Sequence, residues 1–276
     1  TISPDNIFTT GIVTASSFSG DGTGLTGVAG TENIRTNTNA TFLQNVNVGV
    51  AITAGKLGIG FTDTNIKVGS GALDSLTTGT HNTAVGHNAL TANTSANRNT
   101  AVGRHALTAN TTGEDNVGIG YHALVENTTG EDNVAVGSYA LDANTTASNN
   151  VAIGYYALTS TVTGFNNVAV GVNALYTNTA SNNTAIGRDA LKLSTADNCV
   201  AVGSLALAAN STGAANVAVG YGALNDNTTG NYNIAIGGGA LDTNTTGDNN
   251  VAMGINALTA NTTADNNTAI GYDALT

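Results

Sequence analysis

Apolar residues along this chain fall in patches of four or five, each bounded by glycine or by an Asn-Thr cluster, as in NVAVGSYALDANTTASNNVAIGYYAL at 133–158. An amphipathic helix needs apolar positions three and four apart over several turns. These patches are too short for that, and their flanks are turn formers, so the pattern predicts short β-strands joined by turns.

The patches repeat. An aligned glycine stands at 69, 86, 103, 120, 137, 154, 171, 187, 203, 220, 237, 254 and 271, every seventeen residues except for two intervals of sixteen around Gly187. Ala and Leu follow each glycine at the third and fourth positions, and Val, Ile or Met precedes it. The unit is roughly N(V/T)A(V/I)GxxALxxNTTGxN, with room for two short strands. One unit cannot bury an apolar face alone, whereas units stacked in register can. The expected fold is therefore all-β, a parallel β-solenoid of thirteen coils over 67–276. At about 4.8 Å per coil it would be roughly 60 Å long.

In such a stack each column becomes a ladder. Leu73, Leu90, Leu107, Leu124, Leu141, Leu158, Leu175, Leu191, Leu207, Leu224, Leu241, Leu258 and Leu275 are expected to form an apolar spine, faced across the coil by the aliphatic residue before each glycine. Strand alternation then sends the invariant alanines outward, for example Ala135 and Ala140. An outward stripe of Ala and Gly would let another chain approach closely, which predicts a homo-oligomer, most simply a parallel homotrimer. The alternative places the alanines inside a narrow monomeric solenoid, with Leu turned toward a neighbour.

Asn82, Asn99, Asn116, Asn133, Asn150, Asn167, Asn183, Asn216, Asn233, Asn250 and Asn267 form a second ladder in which side-chain amides can donate from coil to coil. Cys199, the single cysteine, interrupts this column and reads as a small buried filler. With one cysteine no intrachain disulfide framework exists. The Asn of each NTT triplet matches a glycosylation sequon, but its regular return points to turn chemistry.

The two residues after each glycine vary freely, as expected of a solvated face. His105, His122, Tyr121, Tyr139, Tyr155 and Tyr156 gather there and form a candidate contact face, with Arg104 beside Tyr121 and Tyr139 beside Tyr156. Such rings can stack on one another or receive a sugar. His87, His105 and His122 lie close in neighbouring coils, but no carboxylate or thiolate completes a zinc set. The acids of the two GEDN stretches, at 113–116 and 130–133, read as solvated turn residues. No metal, cofactor or catalytic group is expected, because the candidates recur as ordinary repeat positions.

Net charge is -11, which excludes a basic nucleic-acid binder, and no apolar run is long enough to insert in a membrane as a helix. Residues 1–30 read as a Gly-rich segment and 31–66 as a short-strand connector or cap. The chain stops in mid-repeat at GYDALT, an open edge that predicts further repeats, another domain or a partner beyond it.

The repeats over 67–276 resemble the NTAVGYxAL...NTTG arrays of phage tail fibres and bacterial surface proteins, many of which end in a self-cleaving intramolecular chaperone. GIVTASSFSGDGTGLTG, at 11–27, resembles a segment frequent in virion structural proteins. A more distant likeness is to trimeric autotransporter adhesin heads, built from SVAIGxxA repeats. The resemblance implies a non-enzymatic homotrimeric fibre of the virion that joins other tail components and spaces or mediates attachment to a cell-surface receptor, with a glycan among the candidates. A bacterial surface adhesin is the alternative. A third reading is ice or glycan binding by the column of Thr111, Thr128, Thr145, Thr228, Thr245 and Thr262.

Overall fold

The computed structural model describes residues 64–276. The expectations for 1–30, and for 31–66 up to residue 63, lie outside the described residues. The described part is all-β: β1 (Ile66–Val68), β2 (Thr83–Val85), β3 (Thr100–Val102), β4 (Val117–Ile119), β5 (Val134–Val136), β6 (Val151–Ile153), β7 (Val168–Val170), β8 (Thr184–Ile186), β9 (Val200–Val202), β10 (Val217–Val219), β11 (Ile234–Ile236), β12 (Val251–Met253) and β13 (Thr268–Ile270). They form one thirteen-stranded sheet in sequence order. Neighbours pair in parallel, and each residue faces its repeat equivalent, as Ala135 faces Ala152. This is a parallel β-solenoid. The two sixteen-residue coils keep the register, with Val168 opposite Thr184 and Thr184 opposite Val200, so the lost residue comes out of a turn.

Each coil holds one strand of three residues rather than two strands. The Ala-Leu segment is instead a turn whose leucine lies in the left-handed region in every coil, with φ +50° at Leu141. Its amide still bonds to the following coil, Leu141 N–H donating to Ala157 O at 3.0 Å. The left-handed conformation costs a non-glycine residue on the order of 1 kcal/mol. Burial of the whole leucine side chain, worth about 1.5–3 kcal/mol, outweighs that cost.

The expected faces of the strand are reversed. A three-residue strand turns one side chain inward, and that residue is the central one: the alanines at this position from Ala84 to Ala252, Ala135 and Ala152 among them, are fully buried, whereas Lys67 of β1 is half-buried. Ala140 and the other alanines that precede leucine are buried too, except Ala274 of the last coil, which is partly buried, so neither alanine column is exposed. The leucines from Leu90 to Leu241 are fully buried, Leu73 and Leu258 nearly so, and Leu275 is exposed. The aliphatic residues before glycine point outward. Room decides this: leucine already fills the narrow interior, and at Gly118 even an added Cβ would come within 3.2 Å of the Leu107 side chain. A valine there has nowhere to go. The structure thus joins half of each sequence alternative, with Ala and Leu inside together.

The strict glycine has two causes. At Gly137 φ is +138°, a conformation that side chains resist, and a Cβ would lie 2.5 Å from the carbonyl oxygen of Gly154 in the following coil. Coils stack this closely only where both lack side chains.

Two asparagine columns complete the interior. In the first, the backbone N–H of Asn133 donates to Asn116 Oδ1 at 3.0 Å, while Asn133 Nδ2 donates to Ala147 O at 2.8 Å. The expected amide-to-amide bond also occurs, from Asn133 Nδ2 to Asn116 Oδ1 at 3.1 Å, but the backbone bond is the more regular link. The second column holds the NTT asparagines, where Asn127 Nδ2 donates to Asn110 Oδ1 at 2.8 Å and to Gly130 O at 3.0 Å. Asn110, Asn127, Asn144, Asn227 and Asn244 are fully buried, which denies a glycosyltransferase access in the folded coil. Every such bond satisfies a polar group that burial alone would penalise. Cys199 is buried in the first column; its thiol donates to Gly213 O at 3.4 Å, and burial raises the thiol pKa.

Candidate functional site

With the small residues inside, the surface acquires two features. One is the outer face of the sheet. All thirteen third positions of the strands are Val, Ile or Met, and nine of the thirteen first positions are Val or Ile, the others being Thr. Several are more than one-third exposed, including Ile119, Ile153, Ile186, Val219, Ile236 and Met253. Together they make a continuous aliphatic strip along the stack.

The other is a band of rings beside the strands, set by the two turn residues that follow each glycine. His87 meets His105 edge-on, with ring centroids 5.5 Å apart, and His105 meets His122 at 5.1 Å. His122 contacts Tyr121 at 4.2 Å and Tyr139 at 5.5 Å. Tyr139 stacks on Tyr156 at 4.9 Å and 17°, and Tyr155 abuts Tyr156 at 4.2 Å. Tyr176 closes the series 5.9 Å from Tyr156. The six residues of the expected contact face are therefore brought together, and His87 and Tyr176 extend it. Tyr176 lies five residues after its glycine, so column counting alone did not place it with the others.

Polar groups flank the band. The Arg104 guanidinium lies over the Tyr121 ring at 5.6 Å and donates to its hydroxyl at 3.4 Å. Asp142 accepts from the Thr159 hydroxyl, and burial raises its pKa. Loss of solvent around His105, together with Arg104, His122 and His87, lowers the imidazole pKa. The Tyr156 phenol is pushed up to about 12, first by the adjacent Tyr155 hydroxyl. Tyr156 therefore stays an uncharged donor across the physiological range.

Other candidates are occupied within the coil stack. Glu114 and Asp115 of the first GEDN stretch pair with Arg98 at 2.5 Å and 2.6 Å. The pairs are half exposed, so they add little stability. In the NTT column the hydroxyls of Thr111, Thr128, Thr228 and Thr245 donate to the following coil, Thr111 Oγ1 to Thr128 O at 3.1 Å and Thr228 Oγ1 to Thr245 O at 2.9 Å. Those four donors are not free for an outside ligand. Among the described residues, no three His, Cys, Asp or Glu side chains are arranged to hold a metal ion.

No protein-family model, curated protein or solved structure matches this chain.

Proposed function

We propose that the solenoid is the shaft of a non-enzymatic fibre of phage tail-fibre type, which associates side by side as a parallel homotrimer and spaces or mediates attachment to a host cell surface. The exposed aliphatic strip carries this reading. A monomer's largest apolar patch is about 300–600 Å². A strip of two columns over thirteen coils offers on the order of 1,000 Å², above the roughly 800 Å² per partner of a stable interface. Its period is that of the coil, so identical chains packed parallel and in register would present matching side chains along their whole length. The strip also replaces the alanine stripe as the contact face, because the alanines are buried.

Light scattering on the purified chain tests this. The expected mass is three times that of one chain, and Val136→Glu with Ile153→Glu should dissociate it. A monomeric parent chain, or an assembly indifferent to both charges, would overturn the reading. Immunolabelling separates the virion from the bacterial surface, since labelling confined to the cell envelope would favour the adhesin.

A further inference from the structure

We infer that the ring band of the second to seventh coils binds a neutral oligosaccharide, an inference that rests on the reading of the solenoid as an attachment fibre and names where on it attachment is made.

The backbone supplies the first argument. The second residue after each glycine lies in the left-handed region throughout the solenoid. Of its thirteen occupants, eight are Gly, Asn or Asp, the residues that accept this conformation most readily, as at Asn88, Asn173 and Asn256. Four consecutive coils instead carry rings there: His105 (φ 60°), His122 (φ 58°), Tyr139 (φ 59°) and Tyr156 (φ 55°). Strained positions of this kind gather at functional sites. Contacts between the rings offset part of the strain, yet the other coils stack without them.

Chemistry supplies the second. Each ring is held by the next, so an apolar surface is fixed before any ligand arrives, and little ordering is lost on binding. The rings recur at the coil rise of about 4.8 Å, giving a track rather than a single pocket. Tyr155, at 48% exposure, is the most open ring of the tyrosine end. A pyranose offers C–H faces to such rings and hydroxyls at its rim. Asp142, Arg104 and the tyrosine hydroxyls supply acceptors and donors beside them. The band carries a guanidinium, Arg104, in the third coil and a carboxylate, Asp142, in the fifth, within a chain of net charge -11. That balance disfavours an acidic glycan and selects an uncharged one.

The test places the full chain, and its Tyr139→Asn and Tyr156→Asn double variant, on an array of neutral di- to hexasaccharides of glucose, galactose, mannose and their N-acetylated amines. Asparagine is the column's own residue, so the variant should keep the coil; circular dichroism and light scattering on both samples check fold and assembly. The parent chain should bind at least one neutral oligosaccharide, and the variant should bind it about tenfold or more weakly. A parent chain that binds no neutral saccharide, or a correctly folded variant that binds equally well, overturns the inference. A monomeric mass would instead count against the fibre assembly and leave the array result readable.

Discussion

Asn144 Oδ1 has no hydrogen-bond partner, because Thr161 stands where the following coil would otherwise present an Asn amide. Elsewhere in this column the bond forms, as from Asn144 Nδ2 to Asn127 Oδ1 at 2.7 Å. Thr161 sends its hydroxyl to Asn178 O instead. Thr161→Asn should therefore stabilise the solenoid by about 1 kcal/mol, the usual net value of a hydrogen bond that relieves a buried orphan. Its denaturant midpoint should rise, and Thr161→Ala should lower it.

Two glycine substitutions should differ sharply. Gly137→Ala meets both a positive φ and the Gly154 carbonyl, and should cost about 3 kcal/mol or more. At Gly238 the nearest atom to an added Cβ is Tyr221 O, 3.8 Å away, and φ is not positive. Gly238→Ala should be neutral or stabilise by up to about 1 kcal/mol. Thermal melts of the two variants check the contrast.

The reversed strand faces give a third expectation. Ala135→Val should destabilise by about 1–3 kcal/mol, because the closed interior cannot take two more methyl groups. Val136→Ala, two methyl groups removed from the outer face, should change the stability of a single coil stack little and weaken chain association. Denaturation and light scattering, read together, distinguish the two positions.

Acid and base act on the ring band in opposite senses. The pKa of Asp142 is raised by burial, so the stability tied to its protonated form is present below the ordinary carboxylate range and lost as pH rises through the folded value. Asp142→Asn should raise the melting temperature at pH 7, by an effect within about 1 kcal/mol because the site is partly solvated. The gain should vanish in acid. The pKa of His105 is lowered, so its contribution is complete above about pH 6.5 and falls as the solution is acidified below that value. Replacing His105 by Asn should reduce this acid sensitivity, measured as the slope of melting temperature against pH.

The stacked coil was legible in the sequence because parallel register demands identity: Leu141 must meet Leu158, and Gly137 must meet Gly154. The face of each residue was not. Alternation predicts that Ala135 and Val136 point apart but not which points inward, and hydrophobicity favours the larger one. Only the interior width, set by Leu141 and its equivalents, reverses that preference. The second strand was lost for a related reason: Ala140-Leu141 has the composition of a strand, but Leu141 adopts a left-handed turn to fill the core. The ring band was partly visible as a column of His and Tyr. Tyr176 came from a different column and needed three dimensions to join it.

The two sixteen-residue coils show that a turn can give up a residue while the strands on either side stay paired. Removal of a complete coil would be gentler still, since each coil offers its successor nearly the same ladder it received. Gene rearrangements that add or delete whole repeats would therefore alter the length of the solenoid in steps of about 4.8 Å without requiring a single compensating substitution. Length in this solenoid is a heritable count, adjustable independently of the exposed rings.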